Sequence, residues 1–253
     1  MESGRPGEMG VGNSDSDRII TFWGLSSWQS PTIQTIMPFD FKKEYKEFYL
    51  PKQKPEFVDV PEANYIAVRG EGNPNDGNGA YTEAVQILYS IAYTIKMSKK
   101  GDHKIDGYFD FVVPPLEGLW WEEVDGKSAE GFSYADKSRL HWISLIRLPD
   151  FVTKTEFDWA VAEASRKKKT DCSKAEFLTL KEGRCAQIMH IGSYNEEPAT
   201  VEVLKEFIEQ NGCTADIDNT NRFHHEIYLS DPRKTAAEKL KTVIRHPIRE
   251  KHQ

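Results

Sequence analysis

The feature that most constrains this chain is an internal repeat. The stretch EFVDVPEANYIAVRGEG (Glu56 to Gly72) aligns without a gap on EFLTLKEGRCAQIMHIG (Glu176 to Gly192). Self-similarity of that length means one supersecondary unit used twice. Each copy reads as a short extended run, a turn (Pro61 to Asn64, Lys181 to Arg184) and a longer strand (Tyr65 to Arg69, Cys185 to Ile191). We count it as one element, a hairpin or a single bent strand. A helix follows in both. Ala84, Leu88, Ile91 and Ile95 recur at helical spacing within Tyr81 to Met97, as do Val201, Leu204 and Ile208 before Asn211-Gly212. Pro198 suits the first turn of the second helix and Gly212 its end. YFDFVV (Tyr108 to Val113) and HHEIYL (His224 to Leu229) then read as strands ended by Pro114-Pro115 and Asp231-Pro232. LIRLP (Leu145 to Pro149) and VIRHP (Val243 to Pro247) close the copies with a shared strand-then-proline signature.

The expected fold is therefore α+β: pseudo-two-fold duplicated strand-helix-strand-strand units whose antiparallel sheets pair and leave a ligand cleft between the halves. The halves run over about 56–150 and 174–249 within a domain of 42–253. Between them, Phe151 to Lys169 offers a linking helix with Phe157 and Val161 toward a core and a Lys167-Lys168-Lys169 end that suits its dipole. Residues 1–41 are expected to be a disordered or loosely packed extension. The first 18 or so are Gly-, Ser-, Asp- and Glu-rich, while Ile19 to Met37, with Phe22, Trp23, Trp28 and Ile33, fits a packed arm, a partner-binding strip or translated upstream sequence.

Bulk properties exclude some functions. With a hydrophobic fraction of 38% the chain can bury a sizeable core, and a net charge of -7 speaks against nucleic acid as a partner. No apolar run reaches membrane-span length, and no basic-then-apolar leader pattern opens the chain, so no membrane partner is expected. Three cysteines, Cys172, Cys185 and Cys213, match neither a zinc motif nor a redox pair, and their odd number points to a reducing, cytoplasmic setting.

Candidate chemistry concentrates in the second copy. Alternation along His224-His225-Glu226-Ile227-Tyr228-Leu229 puts His224, Glu226 and Tyr228 on one strand face and His225, Ile227 and Leu229 on a mostly apolar other. Glu226 then either looks at solvent or, beside aromatic groups, serves as a general base or as a counter-charge for a cation. Glu197, just before Pro198 and close to Tyr194, either stabilises a helix N-terminus or joins a site; Glu196 is equally placed. Trp120 and Trp121 offer stacking surface for a flat or cationic ligand and suit an ordinary core equally well, and Glu117 shares that ambiguity. His190, His224 and His225 come with no spaced carboxylate or cysteine set, so no metal is expected. The Asn- and Gly-rich run Glu71 to Gly79 lacks a phosphate-loop ending, and no cofactor is expected.

The motifs IKM (Ile95 to Met97), VVPPLEGLWW (Val112 to Trp121), HIGSYNEEPAT (His190 to Thr200), HHEIYLSDPR (His224 to Arg233) and KTVIRHP (Lys241 to Pro247) together resemble the GyrI-like small-molecule-binding family. The resemblance covers about residues 42–250 and is to the stand-alone branch that includes cyclopropanoid cyclopropyl hydrolases. It implies a sheet-lined cleft for a small hydrophobic or aromatic ligand, with Glu226 at the buried central position. In the hydrolase branch two glutamates assist water in opening a strained cyclopropane, a detoxifying reaction; the positions implied here are Glu197 and Glu226, with Trp120, Trp121, Tyr194 and Tyr228 as pocket walls. The alternatives are non-catalytic sequestration of hydrophobic or cationic drugs, and a protein-interaction role such as topoisomerase inhibition. A transcription regulator would need a helix-turn-helix, and residues 1–55 show no helical periodicity to supply one.

Overall fold

The computed structural model describes residues 37–124, 127–128, 136–168 and 170–251. The expectations for residues 1–36, including the aromatic segment around Trp23 and Trp28, lie outside the described residues. Of the expected extension, Phe39 and Phe41 are described, and Phe41 is buried against the domain core.

The first copy begins after two one-turn helices, α1 (Phe41–Glu44) and α2 (Lys46–Tyr49). It comprises β1 (Glu56–Val60), β2 (Ala63–Glu71), α3 (Ala80–Met97), β3 (Leu116–Val124), the two-residue β4 (Lys127–Ser128) and β5 (Leu140–Arg147). Helix α4 (Lys154–Lys168) links it to the second copy: β6 (Glu176–Leu180), β7 (Gly183–Ile191), α5 (Glu197–Gln210), the short β8 (Cys213–Ala215), β9 (His224–Tyr228) and β10 (Lys241–Glu250). Helix α5 carries its proline in the first turn, and Gly212 follows it with a φ of 72°, the left-handed geometry that glycine adopts without a Cβ penalty.

The main strands form one antiparallel sheet in the order β1-β7-β10-β9-β3-β5-β2-β6. Reading that order from either end gives the same sequence of equivalent strands, so a pseudo-two-fold axis lies between β3 and β9. The registers obey it. Leu116 pairs with Tyr228 and Gly118 with Glu226 across the axis; Leu116 pairs with Ile146 in one half and Glu226 with Ile244 in the other. Since Ile146-Arg147 and Ile244-Arg245 are the repeated dipeptide, Leu116 is the counterpart of Glu226, and Gly118 of Tyr228.

Two local expectations are corrected. The repeated Glu56 and Glu176 segments are neither hairpins nor single bent strands. Strand β1 leaves its own copy to pair with β7, and β6 pairs with β2, so each half donates its first strand to the other. The donation covers the outer edge of β7 and β2 with apolar-backed strands, and a short break at Pro61-Glu62 and at Lys181-Glu182 lets the chain change partners. Tyr108 to Val113 forms no strand either. Its β-like composition is satisfied by a single bridge, Phe39 to Phe111, while Phe111 is buried and Tyr108 donates to the Lys96 carbonyl at 2.7 Å. The third strand starts only after Pro114-Pro115, which lack the N–H groups a ladder needs. At the far end β10 runs on through Pro247, which faces Cys185.

Helix α3 packs its Ala84, Leu88, Ile91 and Ile95 stripe into the main core, joined by Phe157 and Ala160 of α4; Val161 is only half-buried. Helix α5 places Val201, Leu204 and Ile208 over Ile188 and Ile244. Helices α3 and α5 thus lie on one face of the sheet, and the cleft opens between α3 and the start of α5.

Candidate functional site

Alternation decides what each strand offers the cleft. Cross-strand partners share a face, so Leu116, Gly118 and Trp120 of β3 look the same way as His224, Glu226 and Tyr228 of β9. Odd-numbered Glu117, Leu119 and Trp121 look the other way. A cavity of about 1180 Å³ opens on the helix side, and its lining includes Tyr81, Trp120, Tyr194, Glu197, Glu226 and Tyr228. Trp121 is not part of it. That ring packs at 5.6 Å from His141 and 5.3 Å from Phe223 on the opposite face. Adjacent tryptophans in a strand cannot wall one pocket, a consequence of the pleat that the paired motif concealed. The aromatic group that takes the corresponding place is Tyr81, from the first turn of α3, at 5.6 Å from Trp120 and edge-on to Trp142 at 5.2 Å. Tyr194 meets Tyr228 edge-on at 5.9 Å.

Glu226 sits at the floor, 5% exposed, with both oxygens occupied. Its Oε1 lies 2.9 Å from His224 Nε2, and its Oε2 accepts from the Tyr228 hydroxyl at 2.7 Å. Tyr228 in turn accepts from the Trp120 indole N–H at 2.8 Å. The chain Trp120 to Tyr228 to Glu226 needs Gly118: a Cβ there would lie 2.4 Å from Trp120 Nε1 and 3.0 Å from the Tyr228 hydroxyl.

Glu197 approaches from the start of α5 and is 1% exposed. It is not a surface helix-end charge; that duty falls to Glu196, whose carboxylate accepts from the Ser193 N–H and hydroxyl in a capping box. Among the described residues no ordinary hydrogen bond reaches Glu197 Oε1. Burial and the neighbouring Glu226 together push its pKa up to about 10, with the Thr242 hydroxyl and Lys137 working weakly the other way. At neutral pH Glu197 therefore keeps its proton. Burial, then Glu197 and Glu226, raise Tyr194 to about 12, and burial followed by Glu226 drives up Tyr81 and Tyr228. All three are neutral hydroxyl donors. The cleft thus combines an acid, a carboxyl that accepts from the Tyr228 hydroxyl and lies against the His224 ring, and an aromatic enclosure.

The opposite face holds a second buried polar group that sequence reasoning missed. His225 was expected on a mostly apolar face; instead its Nδ1 lies 2.9 Å from Glu182 and its Nε2 3.0 Å from Glu117. Arg245 donates to Glu182 at 2.8 Å and to the Phe48 carbonyl at 2.6 Å, and Tyr49 donates to Glu117 at 3.2 Å. Burial works against charge on His225, yet the two carboxylates outweigh it and lift the ring to about 9. Burial likewise acts on Glu182, and His225 with Arg245 overcome it, bringing the carboxyl to about 2. The charges of this cluster are mutually paired, and it ties α2 to the back of the sheet. The available sequence signal was the repeat of Glu62 in Glu182 and of Arg147 in Arg245.

Among the described residues no His, Cys, Asp and Glu grouping has the form of a metal site, and no helix is long and apolar enough to cross a membrane.

The profile of the GyrI-like small molecule binding domain matches residues 147–249. A crystal structure of a hydrolase from Listeria innocua is 47% identical, covering 83% of this chain and 100% of that one, with a TM-score of 0.75. A second hydrolase structure from the same organism is 48% identical over 84% of this chain and 100% of that one, TM-score 0.75. An uncharacterized conserved protein from Listeria innocua is similar at 47% identity, 83% and 100% coverage and a TM-score of 0.76. No curated protein matches the chain.

Proposed function

Because the chain belongs to the GyrI-like small-molecule-binding family, we propose that its cleft is the active site of a hydrolase that opens the cyclopropane ring of electrophilic cyclopropanoids by adding water, and so detoxifies them. One observation carries the reading. Glu197 and Glu226 face each other at the floor of an aromatic cavity, and burial keeps the proton on Glu197 while Glu226 is held as an acceptor by His224 and Tyr228. A pair of carboxyls in unlike environments divides naturally into general acid and general base.

In the proposed step Glu226 takes a proton from water as the water oxygen bonds to a ring carbon. The strained carbon–carbon bond breaks, and its electron pair flows through the conjugated dienone to the carbonyl oxygen. That oxygen becomes a phenol by taking the proton of Glu197. The proton now on Glu226 returns to Glu197 across the pair, which restores the starting state. Positioned acid–base groups contribute about 10²–10⁴-fold each to such a reaction. Tyr81, Trp120 and Tyr194 supply flat surfaces that suit a fused aromatic substrate and keep bulk water from the floor.

The second reading, sequestration of a cationic drug, is favoured by the same floor: one acceptor carboxyl ringed by aromatic faces suits a delocalised cation. Mass-spectrometric product analysis separates the two. A spirocyclopropyl dienone incubated with the protein is expected to give a ring-opened, water-added phenol with wild type, and little above the buffer rate with Glu226→Gln or Glu197→Gln. Unchanged compound in every sample, with binding intact, would leave sequestration as the function.

A further inference from the structure

Behind Glu226 lies a pair of buried histidines, and the farther one, His246, has no part in the acid–base step. His224 Nδ1 is 2.8 Å from His246 Nε2, the rings crossing at 64°, while His224 Nε2 is 2.9 Å from Glu226 Oε1. His224 comes from β9 and His246 from β10, on the cleft face of the sheet, and both rings are nearly fully buried. Among the described residues His246 Nδ1 has no hydrogen-bond partner.

These contacts fix where the protons are. Burial, the adjacent His224 ring and Lys205 all disfavour charge on His246, so it is neutral and carries one N–H. Placed on Nδ1, that proton would be a buried donor with nothing to bond, which folded proteins almost never tolerate. Placed on Nε2 it donates to His224 Nδ1, and the His224 proton must then sit on Nε2, aimed at Glu226 Oε1. The opposite ordering would turn a ring lone pair toward a carboxyl oxygen. The other groups that face Glu226, namely Tyr228 on its own strand, Tyr81 from α3, and Tyr194 and Glu197 around the start of α5, lie on the ligand side.

We propose that His246 is a positioning residue: by donating Nε2–H to His224 Nδ1 it locks His224 in the tautomer that donates to Glu226, and so holds Glu226 oriented as the acceptor of the carboxyl pair. The inference rests on Glu226 being the acceptor at the floor of the cleft, and holds whether that floor turns its ligand over or only binds it. His246 touches no substrate; it acts through His224.

Nitrogen NMR of the labelled histidine rings in the ligand-free full chain tests this apart from any activity. Wild type is expected to show the Nε2–H tautomer at both His224 and His246. His246→Gln, whose amide N–H can replace the donor, is expected to leave His224 in that state; His246→Leu, which cannot donate, is expected to give mixed tautomers at His224. Turnover of the spirocyclopropyl dienone should follow, with kcat down about tenfold in His246→Leu, KM unchanged, and the rate restored in His246→Gln. Should His246→Leu fail to fold, wild type and His246→Gln still decide. An Nδ1–H tautomer at His224 in wild type, or a His246→Leu spectrum identical to wild type, overturns the proposal. Absence of turnover in every sample overturns the hydrolase reading instead and leaves the tautomer result standing.

Discussion

Carrying one half of the sheet onto the other sets Leu116 on Glu226, Gly118 on Tyr228, and Arg147 on Arg245. The backbones correspond, but the side chains have parted company. The first half gives the cleft space and a flat wall: Gly118 leaves room, and Trp120 and Tyr81 fill it with ring surface. The second half gives the titratable groups, with Glu226 and Tyr228 on β9 and Glu197 at the start of α5. On the back face the same division recurs. Arg245 is locked into a buried ion pair with Glu182, whereas Arg147 lies over the rings of Tyr45 at 4.8 Å and Phe41 at 5.4 Å. A duplicated fold can keep two identical scaffolds while one copy evolves chemistry and the other shape, because the two-fold axis passes between β3 and β9 and brings both to the same cleft.

The paired arginines give the largest test of this comparison. Arg245→Met would leave Glu182 buried with His225 as its remaining charged partner, and we expect a loss of about 3–5 kcal/mol in urea unfolding. Arg147→Met removes a cation from over two rings and from beside Tyr49 and Glu117, but Glu117 keeps His225 and Tyr49 as partners, so the cost should be smaller, about 1–2 kcal/mol. Equal losses would mean that the halves are held alike and that the asymmetry is one of ligand contacts alone.

How much of this was legible in the sequence follows from the same asymmetry. The repeat, the two long helices and the face shared by His224, Glu226 and Tyr228 were readable because alternation and helical spacing are local properties. The exchange of β1 and β6 between halves was not, since a strand's sequence records which face is buried and not which neighbour it pairs with. Trp121 departs from the expected pocket wall for a local reason: one step along β3 reverses the face, so a Trp120-Trp121 pair cannot supply two walls of one cleft. The ionic cluster of Glu117, Glu182, His225 and Arg245 draws on four strands or turns far apart in the chain, so no window of sequence contains it.

A smaller effect separates the two faces by pH. Glu197 binds its proton more tightly in the folded chain, so the stability it contributes is complete below pH 4.5 and is lost as pH rises toward about 10. His225 behaves likewise over a narrower range, complete below 6.5 and lost as pH passes about 9. Glu182 has the opposite sign, with stability present above 4.5 and lost as pH falls toward about 2. Glu197→Gln removes the cleft's share and leaves the back face's. We expect it to raise stability at pH 7 by roughly 1–3 kcal/mol and to flatten the curve up to about pH 6.5, with a decline above it retained. A wild-type-like slope between pH 5 and pH 6.5 would show that Glu197 releases its proton as an ordinary carboxyl does, and would remove the general acid from the proposed step.

The smallest expected effect falls on the half that contributes shape. In Gly118→Ala the new Cβ meets Trp120 Nε1 at 2.4 Å and Cε2 at 3.0 Å, so the indole must shift and its hydrogen bond to Tyr228 is lost. The ring is partly free to move toward the cavity, which limits the cost in stability to about 1 kcal/mol by the usual penalty for overpacking. The Tyr228 hydroxyl, 3.0 Å from the new Cβ, has to give by only a few tenths of an ångström and still reaches Glu226, so the floor keeps its acceptor while the wall is displaced. The expected signature is a rise in KM for the spirocyclopropyl dienone of about tenfold with kcat within a factor of about two, since uniform binding is lost and the acid–base pair is not. A fall in kcat with KM unchanged would place Trp120 in the chemistry through Tyr228, and the division between a shaping half and a reacting half would then run through the middle of β3 instead of along the two-fold axis.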